Sequence, residues 1–105
     1  IICGGEIIYP AEVESVLAGH PGVAEVVLIG VPDDKWGEVG RAIVVAVPGR
    51  EPSAEELLAF CGERLARYKI PRSLVFVPSI PRTAAHKVDK PALQRLYGPP
   101  QFSKE

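Results

Sequence analysis

The sequence predicts a small α+β domain: a central, roughly three-stranded sheet flanked by helices, with a short β-hairpin at the N-terminus. Three observations carry this. Runs rich in β-branched residues recur at 23–31, 41–47 and 73–77. Between them lie stretches with apolar residues at helical spacing. Gly4-Gly5 splits "IICGGEIIY" into two short apolar pieces.

The elements follow in order. Glycine permits positive φ, so Gly4-Gly5 fits the turn of a small hairpin. Pro10 suits the first turn of a helix, where its missing N–H costs nothing. Val13, Val16 and Leu17 share one face of that helix, and Gly19 and Pro21 stop it. "VAEVVLIGV" (23–31) reads as a strand. "RAIVVAV" (41–47) is almost unbroken apolar sequence, as in a central strand covered on both faces. "PDDKWGEVG" between them reads as a polar turn carrying the single tryptophan. "SAEELLAFCGERLARY" predicts a helix opened by a capping box, Ser53 with Glu56, and weakened at Gly62. "SLVFV" (73–77) is the third strand. "KPALQRLY" predicts a short helix capped by Asp89, and residues 98–105 a disordered tail.

Composition limits the function. The 105 residues suffice for one domain with one modest core. A net charge of −1 gives no basic field for nucleic acid, and no apolar run is long enough for a membrane span. Cys3 and Cys61 match no metal spacing and predict free packing thiols in a reducing, cytoplasmic setting. His20 and His86 have no carboxylate or cysteine at ligand spacing, so no metal site is expected. The chain has no methionine and begins Ile-Ile, as expected of a piece of a longer protein.

Four stretches carry a resemblance. "GGEIIYPAEVESVL" is similar to "GGENIYPxEVExVL", and "HPGVAEVVLIGVPDDKWGE" to "HPxVxEAAVIGVPDxxWGE". "RLARYKIPRSLVFVPSIPRT" and "PRTAAHKVDK" match the remainder in the same order and spacing, from residue 1 to about residue 97. Together they resemble the C-terminal domain of the adenylate-forming superfamily: acyl-CoA synthetases, adenylation domains and luciferases. Two positions depart from the pattern. Ile7 stands for an asparagine, and His86 for the glycine before the catalytic lysine. A bulky residue there narrows the loop's conformations.

The resemblance implies a site. Lys87 falls on the adenylation lysine, an ammonium able to bridge a carboxylate and the α-phosphate of ATP. By composition alone it is a solvated loop lysine. Gly4, Gly5 and Glu6 fall on the strand that lines the pantetheine tunnel in the thioester-forming state. Trp36, Tyr68, Lys69 and Arg72 fall on a coenzyme A nucleotide platform, where an aromatic face meets adenine and cations meet phosphates. Ile70 stands where a cation can sit. For Trp36, packing over the sheet edge is an equal reading.

The expected function is therefore that of the mobile lid, residues 1–97, of an ATP-dependent acid–CoA ligase, inactive in isolation. Its partners would be its own N-terminal domain, absent here, with ATP and Mg²⁺, a carboxylic acid and coenzyme A. One alternative is an adenylation domain that loads a carrier protein. Another is a non-catalytic ferredoxin-like module, which "VLAGHPGVAEVVLIGV" resembles in outline. Metal carriers of that kind need a Cys-x-x-Cys pair, and this sequence has none.

Overall fold

In the computed structural model, which describes residues 1–98, one strand organises everything else. This is β4 (Gly37–Ala46). The long strand β3 (Val23–Asp33) lies antiparallel along one edge of it, from Val23 opposite Ala46 to Asp33 opposite Gly37. The other edge is shared. The short strand β5 (Ser73–Phe76) pairs parallel at Arg41 to Val44. The N-terminal hairpin, β1 (Ile2–Cys3) and β2 (Glu6–Ile7), joins at Cys3 opposite Gly37. The expected α+β domain is thus observed, with a mixed five-stranded sheet made of three core strands and the hairpin. Ala42, Ile43 and Val44 are fully buried, as their unbroken apolar run predicts.

The stretch expected to be a polar turn is mostly strand. Pro32-Asp33 end β3 and Gly37–Gly40 begin β4, leaving Asp34, Lys35 and Trp36 as the turn. Pro32 is tolerated because β3 is an edge strand, whose outer N–H groups need no partner. The Asp33 carboxylate organises the turn by accepting from the Lys35 N–H (3.0 Å) and the Trp36 N–H (2.9 Å).

Helix α1 (Pro10–Ala18) starts on its proline and buries Val13 and Leu17. Helix α2 (Ala54–Gly62) buries Leu57 and Cys61. Its N-terminus is capped by Ser53 Oγ, which accepts from the Glu56 N–H at 3.0 Å. The capping box stops there, because the Glu56 carboxylate turns instead to His20 Nε2, 2.9 Å away. This helix is shorter than expected. It ends at Gly62, the residue of weakest helix propensity, and the chain resumes as a single 3₁₀ turn at Arg67–Lys69. Helix α3 (Lys90–Tyr97) is capped by Asp89, which accepts from the Ala92 N–H at 3.1 Å, and it buries Leu93. Its C-terminal end is held by half-buried Arg41 on β4. Arg41 Nη1 donates to the carbonyls of Tyr97 (2.8 Å) and Gly98 (2.6 Å), and Nε donates to Ser73 Oγ (2.9 Å). A cation belongs there, where unpaired carbonyls carry the negative end of the helix dipole. The expected disordered tail falls, Gly98 apart, outside the described residues.

Candidate functional site

Two places bring chemistry-bearing residues together, and they lie at opposite ends of β3. At one end the Gly4-Gly5 turn meets the Trp36 turn. Both glycines have positive φ, +57° and +88°, as a two-residue β-hairpin turn of the primed type requires. The Gly4 N–H donates to the Trp36 carbonyl at 2.8 Å. A β-carbon at Gly4 would stand 2.7 Å from Trp36 Cε3, so only glycine lets the indole lie against this backbone. Across from them the 3₁₀ turn brings in Arg67 and Tyr68, followed by Ile70, Pro71 and Arg72.

These residues enclose a cavity of about 630 Å³, lined by Gly4, Glu6, Trp36, Tyr68 and Arg72 of the predicted set, and by Cys3 and Arg67 besides. Its walls are mainly apolar, with two guanidinium groups. Trp36 is half-buried, and two cations flank its ring. Arg72 Cζ lies 5.2 Å from the ring centroid and Lys35 Nζ 4.9 Å. An aromatic base stacking on this indole would replace one of them. The aromatic surface and the cations suit a nucleotide that carries phosphates.

Two predicted residues stand outside the lining. Gly5 faces open space. Lys69 turns away and pairs with Glu12 on α1 at 3.0 Å. The hydrogen bond it donates to the Glu12 carboxylate, more than anything else, raises its pKa above the ordinary lysine value.

At the other end of β3, residues 82–88 form a tight hairpin. Arg82 and Val88 bridge antiparallel, the Thr83 N–H donates to the Lys87 carbonyl (2.8 Å), and the His86 N–H donates to the Thr83 carbonyl (2.9 Å). His86 closes the turn with φ +64°. That is the left-handed conformation expected of a glycine at this place in a three-residue hairpin loop. Holding a β-carbon there costs roughly 1–2 kcal/mol. The backbone thus keeps the conformation of the glycine it lacks. Lys87 is exposed on the rim, and among the described residues its ammonium has no ion-pair partner.

Comparison with known proteins decides the family. Residues 12–87 match the family described as AMP-binding enzyme C-terminal domain. The chain belongs to that family. It is 52% identical over 97 residues to a long-chain-fatty-acid–CoA ligase of Mycobacterium tuberculosis, covering 92% of this chain and 19% of that protein. It is 50% identical over 98 residues to a feruloyl-CoA synthase of an Amycolatopsis species, covering 93% of this chain and 20% of the other. Among solved structures, a Mycobacterium tuberculosis fatty acyl-CoA synthetase superposes with a TM-score of 0.87 at 49% identity, covering 94% of this chain and 20% of that one. The chain thus spans about a fifth of the length of the relatives it matches.

Sequence reasoning missed Arg67 and Cys3 as cavity residues of this AMP-binding enzyme C-terminal domain. Arg67 sits beside Tyr68 in the sequence, but only the 3₁₀ turn after Gly62 brings it to the cavity. Cys3 was expected to pack, and it does so at 5% exposure, while its outer side forms cavity wall. Cys61 is fully buried, and burial pushes its thiol pKa up. Both thiols are free. Among the described residues, no helix is long and apolar enough to cross a membrane, and no three His, Cys, Asp or Glu side chains gather as a metal site.

Proposed function

We propose that residues 1–97 are the mobile lid of an acid–CoA ligase, with Lys87 serving the first half-reaction and the Trp36 cavity the second. The observation that carries this is the separation of the two places. Glu25, beside the hairpin, and Asp33, at the Trp36 turn, are eight residues apart on β3. At about 3.3 Å per residue that is roughly 26 Å, too far for both to attend one reacting centre at once.

In the first step the acid's carboxylate attacks the α-phosphate of ATP, and pyrophosphate leaves. Lys87 places its ammonium between the two as negative charge builds on both. In the second, the thiol of coenzyme A attacks the acyl carbonyl, and AMP leaves. The Gly4-Gly5 strand borders the pantetheine arm, and Trp36, Tyr68 and Arg72 hold the nucleotide. Glu6 repels phosphate and so belongs at the uncharged pantetheine end. The larger N-terminal domain holds ATP, Mg²⁺ and the acid, and the lid turns between steps. Alone, the lid carries one side of each site and turns nothing over. A cytoplasmic setting accords with the two free thiols.

Both half-reactions, measured on one Lys87→Ala variant of the intact enzyme, test this. Pyrophosphate release from ATP and acid should fall roughly 10²–10³-fold, as for loss of one preorganised electrostatic contact. Transfer to coenzyme A from a supplied acyl-adenylate should stay within about three-fold. Equal losses in both steps would mean that Lys87 acts on folding or closure. Saturation by free coenzyme A in the same assay separates a CoA ligase from an enzyme that loads a carrier protein.

A further inference from the structure

The hairpin that presents Lys87 is not self-sufficient. Its turn depends on His86 staying left-handed, which the β-carbon opposes. A strained residue persists only where its surroundings fix it. The surroundings here are few. Thr83, Ala84, Ala85 and His86 are all exposed, so no packing holds the tip. What reaches it is one side chain, Arg82. Arg82 Nη2 donates to Glu25 Oε1 on β3 at 2.5 Å, and Nη1 donates to the His86 carbonyl at 3.4 Å. A single planar guanidinium thus spans the sheet and the strained peptide that precedes Lys87. Thr83 Oγ1 adds a local bond, accepting from the Ala85 N–H at 3.3 Å, but it ties the tip only to itself.

We propose that Arg82, seated on Glu25, is a positioning residue for Lys87: it fixes the hairpin to β3 and holds His86 in its left-handed state. The proposal rests on the reading of Lys87 given above. Arg82 touches no substrate in this scheme. It acts by keeping the Lys87 ammonium at one place relative to the sheet, so that docking the lid docks the lysine. The 42% and 43% exposure of the two side chains makes the pair a modest one, and the expected effect is correspondingly limited.

The test uses the intact ligase that contains this chain. Arg82→Ala should lower kcat for adenylation about ten-fold, with KM for ATP and acid changed less than about two-fold, since binding residues are untouched. Coenzyme A transfer from supplied acyl-adenylate should stay within about two-fold. Arg82→Lys keeps the ion pair but lacks the planar fork that reaches both acceptors, so its loss should be intermediate. The deciding variant is Arg82→Ala with His86→Gly. Glycine holds the left-handed turn unaided, so adenylation should return to within about three-fold of the parent. In parallel, hydrogen exchange of the peptide covering residues 80–90 should speed up about ten-fold in Arg82→Ala. Adenylation unchanged in Arg82→Ala would overturn the proposal, and a loss that His86→Gly does not reverse would overturn the part of it that concerns His86. So would unaltered exchange in that peptide. A Lys87→Ala control runs alongside. If it adenylates normally, the reading of Lys87 falls, and the exchange measurement still decides whether Arg82 holds the hairpin.

Discussion

The Trp36 cavity and the Lys87 hairpin are both made from turns, yet the turns are secured by different means. The cavity is built from contact. Its glycines occupy their positive-φ positions without strain, the indole lies on Gly4, and Asp33 ties the turn together. Its residues come from three separate stretches of chain, so its shape is a property of the folded domain. The hairpin is local, exposed and held from one side, with a histidine where glycine would be at ease. On the function proposed, the part that encloses a large ligand is fixed by packing, and the part that offers one cation to another domain stands clear of packing and relies on a few polar tethers.

Substitutions can sharpen or break that contrast. After Lys87→Ala, the largest effect should come from Gly4→Val in the intact enzyme. Its side chain would collide with Trp36 and strain a backbone at φ +57°. Strain of about 1–3 kcal/mol predicts a roughly 5- to 150-fold loss in coenzyme A transfer, with adenylation largely kept. If both half-reactions fell together, the two sites would not be separable. Next are Trp36→Ala and Arg72→Ala. Each should raise KM for coenzyme A several-fold, about 1 kcal/mol, and leave KM for ATP nearly unchanged. Unchanged coenzyme A dependence with a lower unfolding temperature for Trp36→Ala would make the indole a packing residue.

His86→Gly should act in the opposite direction. Relief of about 1 kcal/mol of left-handed strain should raise the unfolding midpoint by roughly 4–8 °C, less whatever glycine's extra unfolded-state freedom takes back. A lower midpoint would show that the imidazole makes a compensating contact. The smallest effect belongs to Lys69→Ala. Lys69 is engaged by Glu12 outside the cavity, so KM for coenzyme A should move less than about two-fold. The pair should also leave a pH signature. The folded pKa of Lys69 is raised above the unfolded value, so its contribution is complete below 10.5 and fades as pH climbs past that. Unfolding midpoints of the parent and of Lys69→Ala should therefore converge at alkaline pH.

Much of this was legible in the sequence. Apolar runs and cap residues located the core strands and the three helix starts because burial and capping leave periodic or local signatures. A glycine pair and a lone tryptophan marked the turns. Two kinds of information were not local. The polar residues of β4's first half look like loop by composition, and only pairing with β3 makes them strand. The early end of α2 is a balance between Gly62 and tertiary packing that spacing alone does not weigh. Lys87 and most cavity residues came through resemblance to a family, since a single lysine or glycine says little by itself. Arg67 and Arg82 escaped because what lies across space from them is not written in the local sequence: Trp36 and Gly4 in one case, Glu25 in the other.

Arg41 has a practical consequence for anyone exchanging this domain between members of its family. Three of its donor contacts end on Ser73, Tyr97 and Gly98, so a strand in the centre of the sheet reads where the last helix finishes. Ending the chain before Gly98 would strip acceptors from a half-buried cation and leave it underpaired, typically a cost of about 1–3 kcal/mol. A useful end point therefore lies beyond Gly98, and a relative with a shorter final helix would need a different residue at position 41.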